Sequence, residues 1–140
     1  VGDVVEACFN SEIRYLTEGV DRAMKRAKAA AGHRCEITGE YSKPHRKIDL
    51  DGHHLFDRRS RPDLADLPEN ILVLVPNLHR EFHGWKSGPC TPKDVLVFIE
   101  TARGDLFDPV NSRDMKRLRA LTHRLQRFQS EREGQKVRYH

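Results

Sequence analysis

Asn70-Ile71-Leu72-Val73-Leu74-Val75-Pro76-Asn77-Leu78-His79-Arg80-Glu81-Phe82-His83 is the stretch on which the reading of this chain turns. Ile71 to Val75 is an uninterrupted apolar run rich in β-branched residues, too short for an independent helix, so it reads as a buried strand. Pro76 suits the first turn of a helix, where a missing N–H costs nothing. Residues four apart on a helix share one face, so His79 and His83 can aim both imidazoles at one ion.

Working upstream, Lys47-Ile48-Asp49-Leu50-Asp51 alternates polar and apolar residues. It predicts a strand that carries Ile48 and Leu50 inward and leads into Gly52-His53-His54. Adjacent residues leaving a strand point different ways, so one histidine of the pair can bind an ion while its neighbour stays free to handle a proton. Between the strands, Phe56 to Glu69 is a charged loop broken by Pro62 and Pro68. Asn70 offers two donors and an acceptor, enough to tie down such a loop. Hydrolysis of a phosphodiester needs both a base to activate water and a cation to stabilise developing charge, and this set supplies both.

The flanks read as helical. Val5, Phe9, Ile13, Leu16, Val20, Ala23 and Ala27 recur at spacings of three and four, predicting a helix from Val4 to Ala31 with Gly32 at its end. Cys8 shares the side of Val5 and reads as a buried thiol. Cys35 to Glu40, closed by Gly39, reads as a tight turn or small hairpin. Thr91 caps a helix with Pro92 in its first turn, running through Val95, Leu96, Phe98 and Ile99 and fading near Gly104. Ser112 caps a last helix whose apolar seam is Met115, Leu118, Leu121, Leu125 and Phe128. The expected fold is α+β, in three segments: an N-terminal helix over 1–32, a two-strand-plus-helix core over 33–86, and a basic helical extension over 87–140.

Composition limits the function classes. At 140 residues with 37% hydrophobic and 33% charged residues and a mean hydropathy of −0.72, the chain suits one modest core with much surface. No apolar run approaches the roughly 20 residues that span a bilayer, and no leader-like segment opens the chain, so a soluble, cytoplasmic protein with no membrane partner is expected. The three cysteines, Cys8, Cys35 and Cys90, form no CxxC pair, which argues against a disulfide framework and a four-cysteine zinc site. From Asn111 to His140 there are nine Lys/Arg against three acids, while the rest of the chain is slightly acidic. Such a basic tail is what a phosphate-binding arm looks like, although a solvated helix face has the same composition.

Cys35-x2-Thr38-Gly39, then Asp49-Leu50-Asp51-Gly52-His53-His54-Leu55, then Pro68-Glu69-Asn70-Ile71-Leu72-Val73-Leu74, then Leu78-His79-Arg80-Glu81-Phe82-His83-Gly84-Trp85, resembles the core of HNH endonucleases, the ββα-metal superfamily, over about residues 33 to 85. The resemblance implies a ββα-metal (His-Me finger) fold and a metal-dependent DNA endonuclease using one divalent ion (Mg2+, Mn2+, Zn2+ or Ni2+), with 5′-phosphate and 3′-hydroxyl products. Carried over by position, His54 resembles the general base and Asn70 the residue that braces its loop. His53, His79 and His83 resemble the metal ligands, as in colicin nuclease domains; in other branches, including RNA-guided CRISPR nucleases, an Asp stands where His53 does. Many HNH proteins carry two CxxC pairs that bind structural zinc, whereas here Thr38 stands where a partner for Cys35 would be, so no structural zinc is expected.

DNA contacts are expected from Arg58 and Arg59 in the loop beside the base, from Arg80 between the two helical ligands, and from Arg117 and Arg124 on the last helix. Arg61 shares that loop. Asp49 and Asp51 read as the exposed face of the strand, Trp85 as core packing behind the metal helix, and His33, His45, His123 and His140 as ordinary. Two alternatives accompany the nuclease reading: a nucleic-acid-binding module with a purely structural metal, and an HNH domain acting within a larger protein or ribonucleoprotein assembly of CRISPR or phage type.

Overall fold

The computed structural model describes residues 18–135. Helix α1 covers residues 18–30; the remainder of the expected N-terminal helix, with Cys8 and the apolar positions up to Leu16, lies outside the described residues. Strands β1 (Asp51–His54) and β2 (Ile71–Leu74) pair antiparallel, followed by α2 (Pro76–Trp85), α3 (Pro92–Ala102) and α4 (Ser112–Glu133). The class is mixed α+β with a small two-stranded sheet, as the sequence predicts. Among the described residues no helix is long and apolar enough to cross a membrane.

Each helix stops and starts where local chemistry requires. α1 ends in a left-handed turn: Gly32 has φ +65°, its N–H donates to Ala29 O, and the His33 N–H reaches back to Lys28 O. That bond pair satisfies carbonyls the helix would otherwise leave open. Thr91 and Asp94 form a reciprocal capping box at the start of α3, with Pro92 in the first turn. At α4 the cap is Asn111 rather than Ser112, because the Asn111 side chain accepts from the Asp114 N–H and Ser112 is already helical.

The first strand begins four residues later than the alternation of Lys47 to Asp51 suggests. Its last pair is Asp51 with Leu74; beyond it β2 gives way to Val75 and to Pro76, which starts α2, so nothing remains for residues 47–50 to pair with. Leu50 is nevertheless buried and Ile48 packs at the core edge. Within β1 the period of two puts Asp51 and His53 on one face and Gly52 and His54 on the other.

β2 is buried along its whole length. Its register with β1 turns the N–H and C=O of Val73 and the C=O of Ile71 away from that partner, and Glu36 and Arg124 complete the ladder. The Glu36 N–H donates to Val73 O, the Glu36 carboxylate accepts from the Val73 N–H, and Arg124 donates to Ile71 O while pairing with Glu36 at 3.1 Å. Burial raises the Glu36 pKa above the usual carboxylate range, opposed by the Arg124 charge and the Val73 hydrogen bond. Arg117 acts similarly toward the 35–39 turn: its Nε donates to Ile37 O at 2.6 Å and its guanidinium lies over the Phe107 ring.

One buried cluster joins α1 (Ala23, Ala27), the 35–37 turn, both strands, α2 (Leu78, Phe82), α3 (Val95, Phe98, Ile99) and α4 (Leu121, Leu125, Phe128). The three expected segments therefore share one core. Trp85 stacks on Phe82 and Phe98 yet stays 41% exposed, so it closes the edge of that core instead of lying inside it.

α1 crosses β1 at Gly52, where a Cβ would collide with Met24 Sδ and stand 3.0 Å from Ile71 Cγ2. Gly52→Ala is expected to destabilise the fold by about 1–3 kcal/mol through overpacking, read from urea midpoints. Adding Met24→Ala should recover some of that loss; a double variant no more stable than Gly52→Ala would show that the clash lies elsewhere.

Candidate metal centre

β1 and the facing side of α2 bring His53, His79 and His83 together, with one ligand atom from each within 4.8 Å of the others. His53 is buried, His79 half-buried and His83 exposed, so the cluster opens from the sheet toward solvent. The Nε2 atoms of His79 and His83 lie 2.9 Å apart. Two nitrogens bound to one cation at about 2.1 Å and a right angle stand about 3 Å apart, so the donor set fits a divalent ion.

Asp51 holds this arrangement from behind. Its Oδ2 lies 3.0 Å from His79 Nδ1, so the ring donates Nδ1–H to the carboxylate and keeps Nε2 turned toward His53 and His83. A carboxylate behind a ligand imidazole fixes its tautomer and raises its basicity. Sequence alone puts Asp51 on an exposed face with Asp49. The signal that points to its role is parity, since residues 51 and 53 of a strand share a face. Asp51→Ala is expected to weaken divalent-ion affinity about 10–100-fold, measured by calorimetric titration, while thermal stability of the metal-free chain changes little.

Burial lowers the His53 pKa to about 3, helped by the charges that His79, His83 and His54 would carry. The unfolded chain, with a histidine near 6.5, then binds the proton more readily than the folded one. Stability from keeping His53 neutral is complete above about pH 6.5 and is lost as pH falls toward about 3. Chemical denaturation of the metal-free protein is expected to show stability dropping on acidification through this window, with a slope from this group of at most about 1.4 kcal/mol per pH unit.

His54 leaves β1 on the opposite side and is half-buried. Its Nε2 lies 2.9 Å from Ala65 O. A carbonyl only accepts, so Nε2 carries the hydrogen and Nδ1 is left as the lone-pair nitrogen of the neutral ring. Burial lowers the His54 pKa, opposed by the Ala65 hydrogen bond and assisted by the Arg58 charge. The imidazole is held in one tautomer and in its basic form.

Asn70 builds the loop that carries Ala65. It is fully buried; Oδ1 accepts from the Phe56 N–H at 2.9 Å, and Nδ2 donates to Phe56 O at 3.0 Å and Leu64 O at 3.2 Å. Leu64 directly precedes Ala65, so the same side chain that closes the loop also fixes the carbonyl that orients His54.

The arginines divide. Arg58 and Arg59 are exposed on the loop next to His54, and Arg80 is exposed on α2 with a hydrogen bond to Asn77. Arg61 is buried and bound to Asp63 and to Arg132 O at the end of α4, so it ties the loop to that helix. Arg117 and Arg124, read from the sequence as DNA contacts, donate to backbone carbonyls and pair with Asp114 and Glu36. Their guanidinium groups sit at the seam where α4 meets the sheet and turn, and supply donors to β2 and to the 35–39 turn.

One feature beyond the predicted set adjoins the cluster. Cys90 Sγ lies 4.0 Å from His53 Nε2 and 3.5 Å from His54 O, its thiol pKa pushed up to about 11 chiefly by burial. Cys35 accepts the Thr38 N–H at its sulfur, 3.4 Å away, while Thr38 Oγ1 accepts from the Glu40 N–H, so this turn is held by local hydrogen bonds. Comparison with protein-family models, with curated proteins and with solved structures returns no match.

Proposed function

We propose that this chain is a metal-dependent endonuclease that hydrolyses DNA phosphodiesters in the manner of the HNH family. The observation that carries the reading is the pairing of a three-imidazole cluster with a neighbouring histidine, His54, outside it and locked as a neutral ring with Nδ1 free. Metal binding and proton abstraction fall to adjacent residues of one strand, and phosphodiester hydrolysis requires that division of labour.

In this reading His53, His79 and His83 hold the ion and His54 Nδ1 takes a proton from the attacking water. When bound, the divalent ion supplies Lewis-acid stabilisation of charge on the phosphate and on the leaving 3′ oxygen. A new O–P bond forms as the P–O3′ bond breaks, and the departing oxygen is protonated by solvent. The products carry 5′-phosphate and 3′-hydroxyl ends. Asn70 acts through the Leu64–Ala65 segment and is a positioning residue. Arg58, Arg59 and Arg80 supply phosphate contacts around the cluster.

The test is cleavage of supercoiled plasmid with Mg2+, Mn2+, Zn2+ or Ni2+ and with EDTA, followed by end-group analysis. Ion-dependent cleavage leaving ligatable 5′-phosphates is the expected result; a plasmid left intact under every ion would overturn the proposal.

A binding module with a purely structural metal is favoured by one observation, the Cys90 thiol beside His53, because a fourth protein donor would close the site. The Co2+-loaded protein separates the two. The nuclease reading expects no thiolate-to-cobalt absorption band, and a strong band abolished by Cys90→Ser would support the module.

A further inference from the structure

We infer that the outer arc of α4, with the 41–47 turn beside it, is a metal-independent docking surface for the phosphate backbone of DNA. The inference rests on the nuclease reading and adds to it the surface by which the substrate is held.

Between residues 112 and 127 the chain has six Lys/Arg and one acid. The fold sorts them. Arg117 and Arg124 face the protein, while Lys116 and Arg119 are exposed on the outer face of the helix and Arg113, one turn before Arg117, is exposed on the flank they share. Among the described residues none of these three has a carboxylate within ion-pair distance, whereas Arg127 pairs with Glu131 and Arg117 with Asp114. Like charges three apart on a helix repel one another. The helix therefore carries an uncompensated positive ridge that a polyanion would relieve.

The seam places a second cationic element next to this ridge. The Arg117 stem lies against Gly39, with its Cδ 3.7 Å from where a Cβ would be, and Gly39 lines a shallow groove of about 290 Å³ with Lys43, His45 and Arg46 and a single acid, Glu40. The turn is built, since the Lys43 and Arg46 backbones bond to each other in both directions and the Ile48 N–H donates to Ser42 Oγ. Lys43, Arg46 and Lys47 are exposed and, among the described residues, without a carboxylate partner. Lys43 and Arg34 instead lie over the Tyr41 ring.

Length favours a nucleic-acid strand as occupant. Residues 113–119 of a helix extend about 9 Å, and a DNA strand presents a phosphate every 3.4 Å or so of axial rise. The ridge thus matches about three phosphates, and the turn beside it offers contacts to a neighbouring stretch of the duplex. Contacts of this kind position the substrate and carry no sequence information.

The experiment measures binding of a short fluorescein-labelled duplex by anisotropy in EDTA over a salt series. The variants are Arg113→Gln/Lys116→Gln/Arg119→Gln and Lys43→Gln/Arg46→Gln/Lys47→Gln, with Lys25→Gln/Arg26→Gln on α1 as a charge control. Each triple variant is expected to lower affinity and reduce the salt slope by about three, with thermal stability unchanged and the control close to the natural chain. An unchanged slope in either triple variant, a control that loses as much per charge removed, or a polyglutamate that competes as well as DNA would overturn the inference. Because binding is read without metal, failure of plasmid cleavage would sink the nuclease reading and leave this measurement intact.

Discussion

Replacing His54 by alanine is expected to slow DNA cleavage about 10²–10⁴-fold while leaving divalent-ion affinity near that of the natural chain. The size of the effect follows from the role proposed for His54, because a positioned imidazole contributes that factor when it removes the proton in the rate-limiting step. The selectivity follows from where the ring stands: His54 bonds through Nε2 to Ala65 O and belongs to the opposite face of β1 from His53. Removing it leaves His53, His79, His83 and the supporting Asp51 in place. Single-turnover cleavage and calorimetric metal titration, run on the same preparations, measure the two halves. Cleavage that survives in His54→Ala would remove the base assignment, and loss of metal binding would mean that His54 belongs to the coordination set. His54→Gln is the informative companion, since it can still donate toward Ala65 O but cannot accept a proton at neutral pH. It is expected to fold normally and to be as inactive as the alanine variant.

Asn70→Ala is expected to cost about 3–5 kcal/mol, because it strands the Phe56 N–H and C=O in the interior at roughly 1–3 kcal/mol each and removes one of the two hydrogen bonds that Leu64 O accepts, the other coming from the Leu67 N–H. For a chain of this size the melting temperature should fall by roughly 10–15 °C. The orphaned groups belong to Phe56, which is buried, so water reaches them only if the loop opens. Asn70→Asp should not rescue stability at neutral pH. It keeps the acceptor for the Phe56 N–H but sets a carboxylate against two carbonyl oxygens. Any activity lost beyond the loss of folded protein reports the second consequence, a displaced Ala65 carbonyl and a His54 ring free to change tautomer. Urea denaturation and cleavage rates normalised to folded fraction separate the two. A stability change below about 1 kcal/mol would mean that the loop finds other partners.

Much of the architecture is legible in the sequence because it depends on local chemistry. The Ile71 to Leu74 run, Pro76 opening α2, the Thr91 cap and the seam of α4 are each written within a few residues, and the structure has them all. The convergence of His53 on His79 and His83 also follows from strand-then-helix order. What escapes depends on partners distant in sequence. The start of β1 is set by where β2 ends. Arg117 and Arg124 look like the other arginines of a basic helix until Ile37 and Ile71 are seen to need donors. Asp51 can be found by counting strand parity, but pairing it by chemistry with Asp49 hides the relation to His53. Cys90 has no signal at all, since its approach to His53 is made by the chain that follows α2.

The flank of β2 filled by Glu36 and Arg124 bears on solubility. Ile71 to Leu74 is a four-residue apolar, uncharged, proline-free strand with only one strand neighbour among the described residues, the sort of segment that recruits copies of itself into fibrils. A carboxylate and a guanidinium sit where an incoming chain would have to bond, so edge-to-edge self-association is blocked by side chains already committed to that flank.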